Sequence, residues 1–321
     1  MLAGLLVALL IWGWAVFGGW YARGPLRHAT NFIVPEGATL PGVAVRLQNS
    51  GAIASASAFR LRARLFHPPL FHGGATIKAG EFLLPPGASE SAMFAILTGD
   101  QALRRFVTVP EGMAAVMVSD RLAAQTMLTG PNAVPAEGSV LPQTYDFKRG
   151  ETRAVLLGRM QVAMRATLAE LWAQRAPNLP VKTPRQALIL ASIVEKETGK
   201  PSERPMVAGL YENRLRQGIR LQADPTIIYP ITKGRPLGRR IRQSEIAAVN
   251  AYNTYAMAGL PQAPITNPGR SSILAVLHPA TTGALYMVAD GTGGHAFAGT
   301  LQEHNRNVAR WFAIRHARGE L

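Results

Sequence analysis

The chain has 321 residues, a formal net charge of +15 at pH 7 and no cysteine. This length accommodates about two domains with cores of their own. The lack of cysteine excludes disulfides, thiolate nucleophiles and thiolate metal sites. The positive charge predicts an anionic environment, such as a membrane surface, a nucleic acid or an acidic polymer. Nucleic acid is a minor alternative, because the arginines are dispersed and no nucleic-acid-binding motif is present.

The first predicted element is a transmembrane helix. Residues 2–22 contain no charged side chain, and about 20 apolar residues suffice to cross a bilayer. Trp20 and Tyr21 stand at one end of this run, where interfacial aromatic residues are common. A cleavable signal peptide is the alternative, but the apolar run is long for one and no basic segment precedes it. We therefore expect an uncleaved anchor over residues 1–23.

Two similar strand–turn–helix phrases follow. Residues 29–34 alternate like a strand, Pro35-Glu36-Gly37 predicts a turn, and Thr39 can cap a short helix after it. Residues 106–112 repeat the strand and the turn, and a helical run follows again. Two copies do not indicate a repeat protein. They are typical of small α+β units that present a groove to an extended ligand.

The next two predicted elements are helices. Residues 151–174 have an apolar stripe at helical spacing, and its methionines are typical of core packing. In the second helix, Thr183 can cap the start, Pro184 suits the first position and Gln186 can complete a capping box. Gly199 ends it. Apolar residues surround most of this second helix, so we expect it to be buried.

Two glutamates stand at the end of this buried helix. Glu197 lies above Leu190 and Val194, whereas Glu195 lies roughly 200° away around the helix. Only one of them can point into a given cleft. Burial raises the pKa of a carboxyl, and a glutamate protonated near neutral pH can act as a general acid. The alternative is that both glutamates only solubilise the helix end beside Lys196, although carboxylates there oppose the helix dipole.

After residue 200 the predicted elements become shorter. They are, in order, a helix capped by Ser202 and stopped by Gly218, an extended segment over residues 219–229, a β-hairpin formed by residues 285–290 and 295–300, and a helix over residues 301–317. Together with the earlier elements, they predict an α+β fold.

The loops of this C-terminal part are rich in hydrogen-bonding and aromatic side chains. The candidate residues are Gln222, Asp224, Tyr252, Asn253, Tyr255, Asn267, His278, His295, His304 and Asn305. Amides bind hydroxyls and aromatic rings stack on sugars, so this set suits a cleft for a sugar polymer. Taken singly, Asp224 and Asn253 are also common turn formers.

Other chemistries find little support in the sequence. The histidines are too scattered for a metal site, so we expect neither a metal nor a cofactor. A serine hydrolase would have Gly-x-Ser-x-Gly, which is absent. The remaining candidate is catalysis by a carboxyl group that acts as a general acid or base.

The sequence motifs of the chain resemble, in the same order, those of the endolytic murein transglycosylases, the YceG-like family. The resemblance is carried by residues 191–198, 202–204, 213–215, 220–226, 251–255, 259–261, 267–269, 278–280, 288–291 and 293–297. It implies an N-terminal transmembrane helix, a small LysM-like α+β glycan-binding region over residues 29–106 and a mainly helical catalytic domain with β-hairpins over residues 107–321. Gln143 is a departure, because relatives commonly carry Asp there, and we assign it no catalytic role.

The resemblance also implies an activity. The family cleaves the MurNAc–GlcNAc bond of nascent peptidoglycan, leaves 1,6-anhydromuramyl ends and thereby terminates strand elongation. Its catalytic glutamate is the one directly followed by threonine in Glu-Lys-Glu-Thr, which is Glu197 here. One carboxylate suffices in this lyase, because the muramyl C6 hydroxyl attacks its own C1. Gln222, Asp224, Tyr252, Asn253 and Tyr255 would bind and position the substrate.

The implied location is the inner membrane, with a single-pass anchor and the catalytic body in the periplasm. Arg23 and Arg27, taken alone, would instead keep the body in the cytoplasm. Glycan polymerases and penicillin-binding proteins are the implied protein partners.

Two other functions stay open. A muramidase would hydrolyse the same bond with water and would need a second carboxylate, for which Asp224 and Glu203 are the nearby options. A non-catalytic glycan-binding scaffold of the cell-wall synthesis complex would need no acid at all.

Overall fold

Helices alternate with small two-stranded sheets in a computed structural model that describes residues 13, 16–67 and 76–320. The α+β class predicted from the sequence is therefore confirmed. The chain divides into two units. The first unit extends to Arg105 and includes Asp146–Glu151, and the second comprises Phe106–Tyr145 and the chain from Thr152 onward.

The first unit is built on one pair of strands. Strand β1 (Thr30–Val34) pairs antiparallel with β2 (Gly80–Leu84), and Phe32 lies opposite Phe82. Its helices are α1 (Leu40–Asn49), α2 (Ala56–Phe66) and α3 (Glu90–Thr98). Each helix begins after a Ser or Thr whose side chain accepts a backbone N–H, as predicted for Thr39.

The predicted transmembrane helix is corrected by the structure. In the part of the chain that the structure describes, no helix combines the length and the apolar character needed to cross a membrane. Residues 1–12, 14 and 15 of the predicted span lie outside the described residues. Residues 16–21 are helical, but Trp20 is only 1% exposed because it packs against Phe59 and Phe94. Trp20, which was expected at a lipid interface, is therefore buried in a protein core.

Strands β3 (Arg104–Thr108) and β4 (Thr144–Lys148) pair with each other, and the unit boundary falls within both of them. The second Pro-Glu-Gly turn, at residues 110–112, belongs to the second unit. The assignments of residues 29–106 to a LysM-like region and of residues 107–321 to a catalytic domain stay predictions.

The second unit is mainly helical. Its helices are α4 (Ala115–Ala123), α5 (Arg153–Ala173), α6 (Pro184–Glu197), α7 (Arg204–Arg216), α8 (Pro225–Thr232), α9 (Gln243–Ala247), α10 (Arg270–Leu277) and α11 (Leu301–Ala317), with a 3₁₀ turn at Pro201–Glu203. Strands β5 (Tyr286–Ala289) and β6 (His295–Ala298) form the predicted antiparallel hairpin.

Helix α6 lies at the centre of this unit, where α5, α7, α8 and α10 all pack against it. Thr183 caps it and accepts the N–H of Gln186 at 3.2 Å, as predicted. The Gln186 side chain accepts from the backbone N–H of Lys182, one residue before the cap, rather than completing a capping box. Its residues from Ile189 to Val194 are all buried, which confirms the predicted burial.

Two local predictions are wrong. The extended segment predicted over residues 219–229 gives way at Pro225 to α8, where proline suits the first helical turn. The cap predicted at Ser202 is replaced by a 3₁₀ turn, and Glu203 precedes α7 without a side-chain cap.

Candidate active site

The two glutamates at the end of α6 have opposite surroundings. The side chain of Glu195 is only 4% exposed, with its Oε1 accepting from Arg204 at 3.2 Å and its Oε2 accepting from the backbone N–H of Gly269 at 2.9 Å. Arg204 also donates to Glu111 at 2.9 Å. Glu195 therefore ties three segments of the second unit together and has both oxygens engaged.

Glu197 faces a cavity of about 230 Å³. Its Oε1 is buried and accepts no hydrogen bond from any residue that the structure describes. A buried carboxyl oxygen without a partner is uncommon in a folded protein, because it has lost its contact with water and gained none in return. Glu197 thus lines the cavity with a carboxyl oxygen whose burial no described residue compensates.

The cavity lies where five segments of the second unit converge. They are α6, α7, the loop before α8, the loop at Tyr255 and the β5–β6 hairpin. The lining residues are Glu197, Leu210, Tyr211, Arg214, Leu221, Gln222, Asp224, Tyr255, Met287, Val288, Ala289 and His295. The cavity combines two carboxyl groups, a cation and several hydrogen-bonding groups.

The surroundings of Glu197 favour its protonated form. Burial raises the pKa of Glu197 to about 7, whereas its interaction with the Tyr211 hydroxyl lowers it. The negative charge of Asp224 adds to the rise and the positive charge of Arg214 opposes it. A carboxyl with a pKa near 7 can donate and accept a proton at neutral pH, which is what a general acid and base requires.

Arg214 holds the wall of the cavity together. Its Nε donates to the Leu285 carbonyl at 2.6 Å, and its Nη1 donates to the Leu221 carbonyl at 2.9 Å. The same Nη1 donates to Oε1 of Gln222 at 3.1 Å. One side chain of α7 therefore orients the start of the hairpin, the loop before α8 and a predicted substrate-binding amide.

Two predicted binding residues, Gln222 and Asp224, project from the loop before α8. Gln222 adopts a left-handed backbone conformation with φ of 55°, which is uncommon for a residue other than glycine and is frequent near functional sites. Asp224 accepts a hydrogen bond from the Tyr255 hydroxyl at 2.6 Å and makes no helix-capping bond. Its side chain thus lines the cavity and does not cap the helix that follows.

A pair of buried threonines fixes this loop. The hydroxyls of Thr226 and Thr254 lie 2.8 Å apart, and both side chains are fully buried. Oγ1 of Thr254 accepts the N–H of Ala223 at 3.0 Å, and the Thr254 carbonyl accepts the N–H of Gln222 at 3.1 Å. The loops that carry Asp224 and Tyr255 are therefore joined by hydrogen bonds in the interior.

The structure brings Glu197, Gln222, Asp224 and Tyr255 together, but it places the two other predicted site residues elsewhere. Asn253 is fully buried, and its amide donates to the carbonyls of Ile246 at 2.9 Å and Ala248 at 2.7 Å. The ring of Tyr252 packs on that of Tyr229, with centroids 4.9 Å apart. Both residues support the loop of Tyr255 and do not line the cavity of Glu197.

Comparisons with known proteins identify the family. The model of the YceG-like family matches residues 32–310. The chain belongs to the YceG-like family. One relative is the endolytic murein transglycosylase of Bacillus subtilis strain 168, which is 25% identical over 322 residues, 90% of this chain and 87% of that protein.

Two further matches agree with this membership. The endolytic murein transglycosylase of Streptococcus pneumoniae R6 is 33% identical over 180 residues, which span 54% of this chain and 32% of that protein. A crystal structure of a YceG-like protein from Listeria monocytogenes is similar with a TM-score of 0.54 and 25% identity, over 87% of this chain and 99% of that one. The YceG-like resemblance predicted from the sequence is therefore confirmed.

In this YceG-like chain, sequence reasoning missed two groups at the cavity, Tyr211 and Arg214, and it named His295 without its hydrogen bond to Glu203. Tyr211 and Arg214 both lie on α7 and line the cavity, although Arg214 occupies an otherwise apolar row of that helix. Nδ1 of His295 lies 2.9 Å from Oε2 of Glu203, and Glu203 also accepts the backbone N–H of His295 at 3.1 Å. A charged residue in an apolar row is the one pattern that could have indicated Arg214.

Proposed function

We propose that this YceG-like protein is a peptidoglycan lytic transglycosylase that cleaves glycan strands at the MurNAc–GlcNAc bond, with Glu197 as its acid and base. The enzyme class agrees with that of the relatives in Bacillus subtilis and Streptococcus pneumoniae, which are named endolytic murein transglycosylases. The observation that carries the role of Glu197 is its buried, unpartnered Oε1 in a polar cavity. Its pKa of about 7 supports the same role.

The chemistry needs one carboxyl used twice. Protonated Glu197 donates its proton to the glycosidic oxygen as the bond from that oxygen to muramyl C1 breaks. The C6 hydroxyl of the same muramyl residue then attacks C1, and the Glu197 carboxylate accepts the hydroxyl proton. The products are a free GlcNAc hydroxyl and a 1,6-anhydromuramyl end, without consumption of water. Because the attacking hydroxyl belongs to the reacting sugar, holding the C6 hydroxyl close to C1 supplies much of the rate acceleration.

The neighbours of Glu197 have defined parts in this mechanism. Burial raises the pKa of Tyr211 well above its usual value, so its hydroxyl keeps its proton and can donate a hydrogen bond at neutral pH. Asp224 supplies negative charge beside a sugar ring that becomes positive in the transition state. Gln222, held by Arg214, is placed to bind a sugar hydroxyl.

Endolytic cleavage of nascent strands would terminate their elongation, and the substrate places the enzyme's action outside the cytoplasm. Residues 29–106 would add a glycan-binding surface. Association with glycan polymerases and penicillin-binding proteins stays a prediction.

Mass spectrometry of fragments released from purified peptidoglycan tests the activity and the residue together. The wild-type chain should produce anhydromuramyl ends, and the matched Glu197→Gln protein should produce none while remaining folded. Cleavage by the Glu197→Gln protein at the wild-type rate would refute the assignment of Glu197. Glycan binding by a folded wild-type protein without any cleavage would favour the scaffold.

Hydrolysis is the second candidate function, because Asp224 lines the same cavity as Glu197. A carboxyl pair of this kind could activate water instead of relying on the C6 hydroxyl. The two reactions differ in their products, since hydrolysis leaves reducing muramyl ends that incorporate oxygen from ¹⁸O-labelled water. The anhydro product contains no oxygen from solvent.

A further inference from the structure

A second and larger cavity lies on the other side of the last turn of α6. Its volume is about 460 Å³, within the range of about 300–1,000 Å³ that is typical of ligand sites. Its lining is mostly apolar and includes Met113, Met117, Ile228, Tyr229 and Ile265. The proposed mechanism uses none of these residues.

The two cavities are neighbours because consecutive residues line them. Lys196 lines the apolar cavity and Glu197 lines the polar one. Likewise, Asp224 lines the polar cavity and Pro225 lines the apolar one. Adjacent residues of a helix lie 3.8 Å apart at their Cα atoms and point about 100° apart. The two cavities therefore share the last turn of α6 and the start of α8 as parts of their walls.

The charges at the apolar cavity are unequal. Glu111 lines it but accepts from Arg204 at 2.9 Å, and Arg235 lines it but donates to Asp120 at 2.6 Å. Lys196 is exposed, and its ammonium forms no ion pair with any residue within the described part of the chain. Arg204 is shared between Glu111 and Glu195, so it does not neutralise both of them, and Lys196 is the rim cation that has no ion-pair partner among the described residues.

We infer that this cavity, which we call the peptide subsite, binds the stem peptide on the muramyl residue at the scissile bond, with Lys196 facing a peptide carboxylate. This inference rests on the proposed function, because the peptide reaches the subsite only when its sugar lies at Glu197. The occupant is a short acyl peptide that combines small apolar side chains with free carboxylates.

A peptide fits this cavity better than another sugar does. A pyranose presents hydroxyls in every direction and needs many hydrogen-bonding partners, which the methionine and isoleucine side chains cannot supply. An alanyl side chain is satisfied by such a lining, and a carboxylate at the rim would be satisfied by the Lys196 ammonium. The arrangement would select strands that still carry their peptides.

The first test compares two forms of the same glycan strands, one bearing stem peptides and one stripped of them by an amidase. The full-length wild type should cleave the peptide-bearing strands with a kcat/KM about tenfold higher, as expected for one charge-assisted contact. Lys196→Met should remove most of this preference through KM. The control Lys182→Met, which removes the same charge just before the opposite end of α6, should keep it. Equal cleavage of both strands by the wild type, or an equal loss on both strands in Lys196→Met, would overturn the inference.

The second test does not depend on catalysis. The folded Glu197→Gln protein should bind N-acetylmuramyl-L-alanyl-D-glutamate, measured by calorimetry, and a further Met117→Trp substitution that fills the subsite should abolish this binding. An absence of binding at millimolar concentration would overturn the peptide subsite even if the wild type cleaves glycan. Binding without cleavage of any strand by the wild type would instead refute the proposed function and leave the subsite supported.

Discussion

The two carboxylates on opposite sides of the last turn of α6 differ in how many of their oxygens have hydrogen-bond partners. On one side, Glu195 has both oxygens bonded, to Arg204 and to the backbone of Gly269. On the other side, Glu197 has a buried oxygen with no partner in the described structure. The residues are of the same type, are two positions apart and end the same helix.

This comparison shows that burial alone does not distinguish a structural carboxylate from a reactive one. Both glutamates have oxygens out of contact with water. The difference is that a bound arginine compensates for burial at Glu195, while burial raises the pKa of Glu197 to about 7 with no full compensation. Glu197 can thus keep a carboxyl oxygen without a hydrogen-bond partner, because Glu195 on the same helix supplies the stabilising ion pair.

The largest expected effect is on the reactive side. Glu197→Gln keeps the shape of the side chain but removes the proton donor, so kcat should fall by about 10³-fold, within the range of general-acid contributions. Fragment release, followed by mass spectrometry, measures it. Glu195→Gln should retain nearly wild-type activity per folded molecule, and a comparable loss of activity there would break the comparison.

The next effect is on the structural side. Glu195→Gln leaves Arg204 with Glu111 as its one carboxylate partner, so the free energy of unfolding should fall by about 2 kcal/mol. Denaturant unfolding followed by circular dichroism measures this change. Glu197→Gln serves as the matched control and should unfold at the same or a higher denaturant concentration, since it loses no paired charge.

A smaller effect is expected where Arg214 supports the cavity. Arg214→Lys keeps the charge but cannot reproduce the bonds to Leu285, Leu221 and Gln222, so kcat/KM should fall about tenfold. Arg216→Lys, two residues along the same helix, is the control, because Arg216 bonds Glu212 and does not line the cavity. An unchanged kcat/KM in Arg214→Lys would show that Gln222 needs no such support.

The smallest effect is a shift of the pH dependence. The mechanism needs protonated Glu197, so kcat/KM should decrease as the pH rises through about 7, the pKa of this group. Asp224→Asn removes a negative charge that raises this pKa, so the alkaline limb should move to lower pH by less than about one unit. A pH–rate profile of both proteins measures the shift. A shift of the alkaline limb to higher pH in Asp224→Asn would contradict the conclusion that Asp224 raises the pKa of Glu197.

The sequence was sufficient to predict the elements whose patterns are local. The cap at Thr183, the burial of α6 and the β5–β6 hairpin depend on short-range spacing, and all three predictions are confirmed. Helical geometry alone also placed Glu195 and Glu197 on different sides. The transmembrane prediction was wrong for the described residues, because an apolar run does not distinguish lipid from a protein core, as Trp20 shows.

The parts that the sequence could not give depend on contacts between distant segments. Arg214, for example, donates to the carbonyl of Leu285, which lies 71 residues further along the chain. Asn253 is a turn-forming residue type, and only the fold shows its amide turned inward toward Ile246 and Ala248. Local patterns carry no information on such partners.

The clasp formed by Thr226 and Thr254 has a consequence for how the cavity behaves in time. The amides of Ala223 and Thr254 lie outside regular secondary structure, yet each donates to a fully buried hydroxyl. Deuterium can replace their hydrogens only when the clasp opens, so these loop amides should exchange as slowly as those inside a helix. The loops that carry Asp224 and Tyr255 would then be a rigid mould for the sugar, not a flap that closes over it.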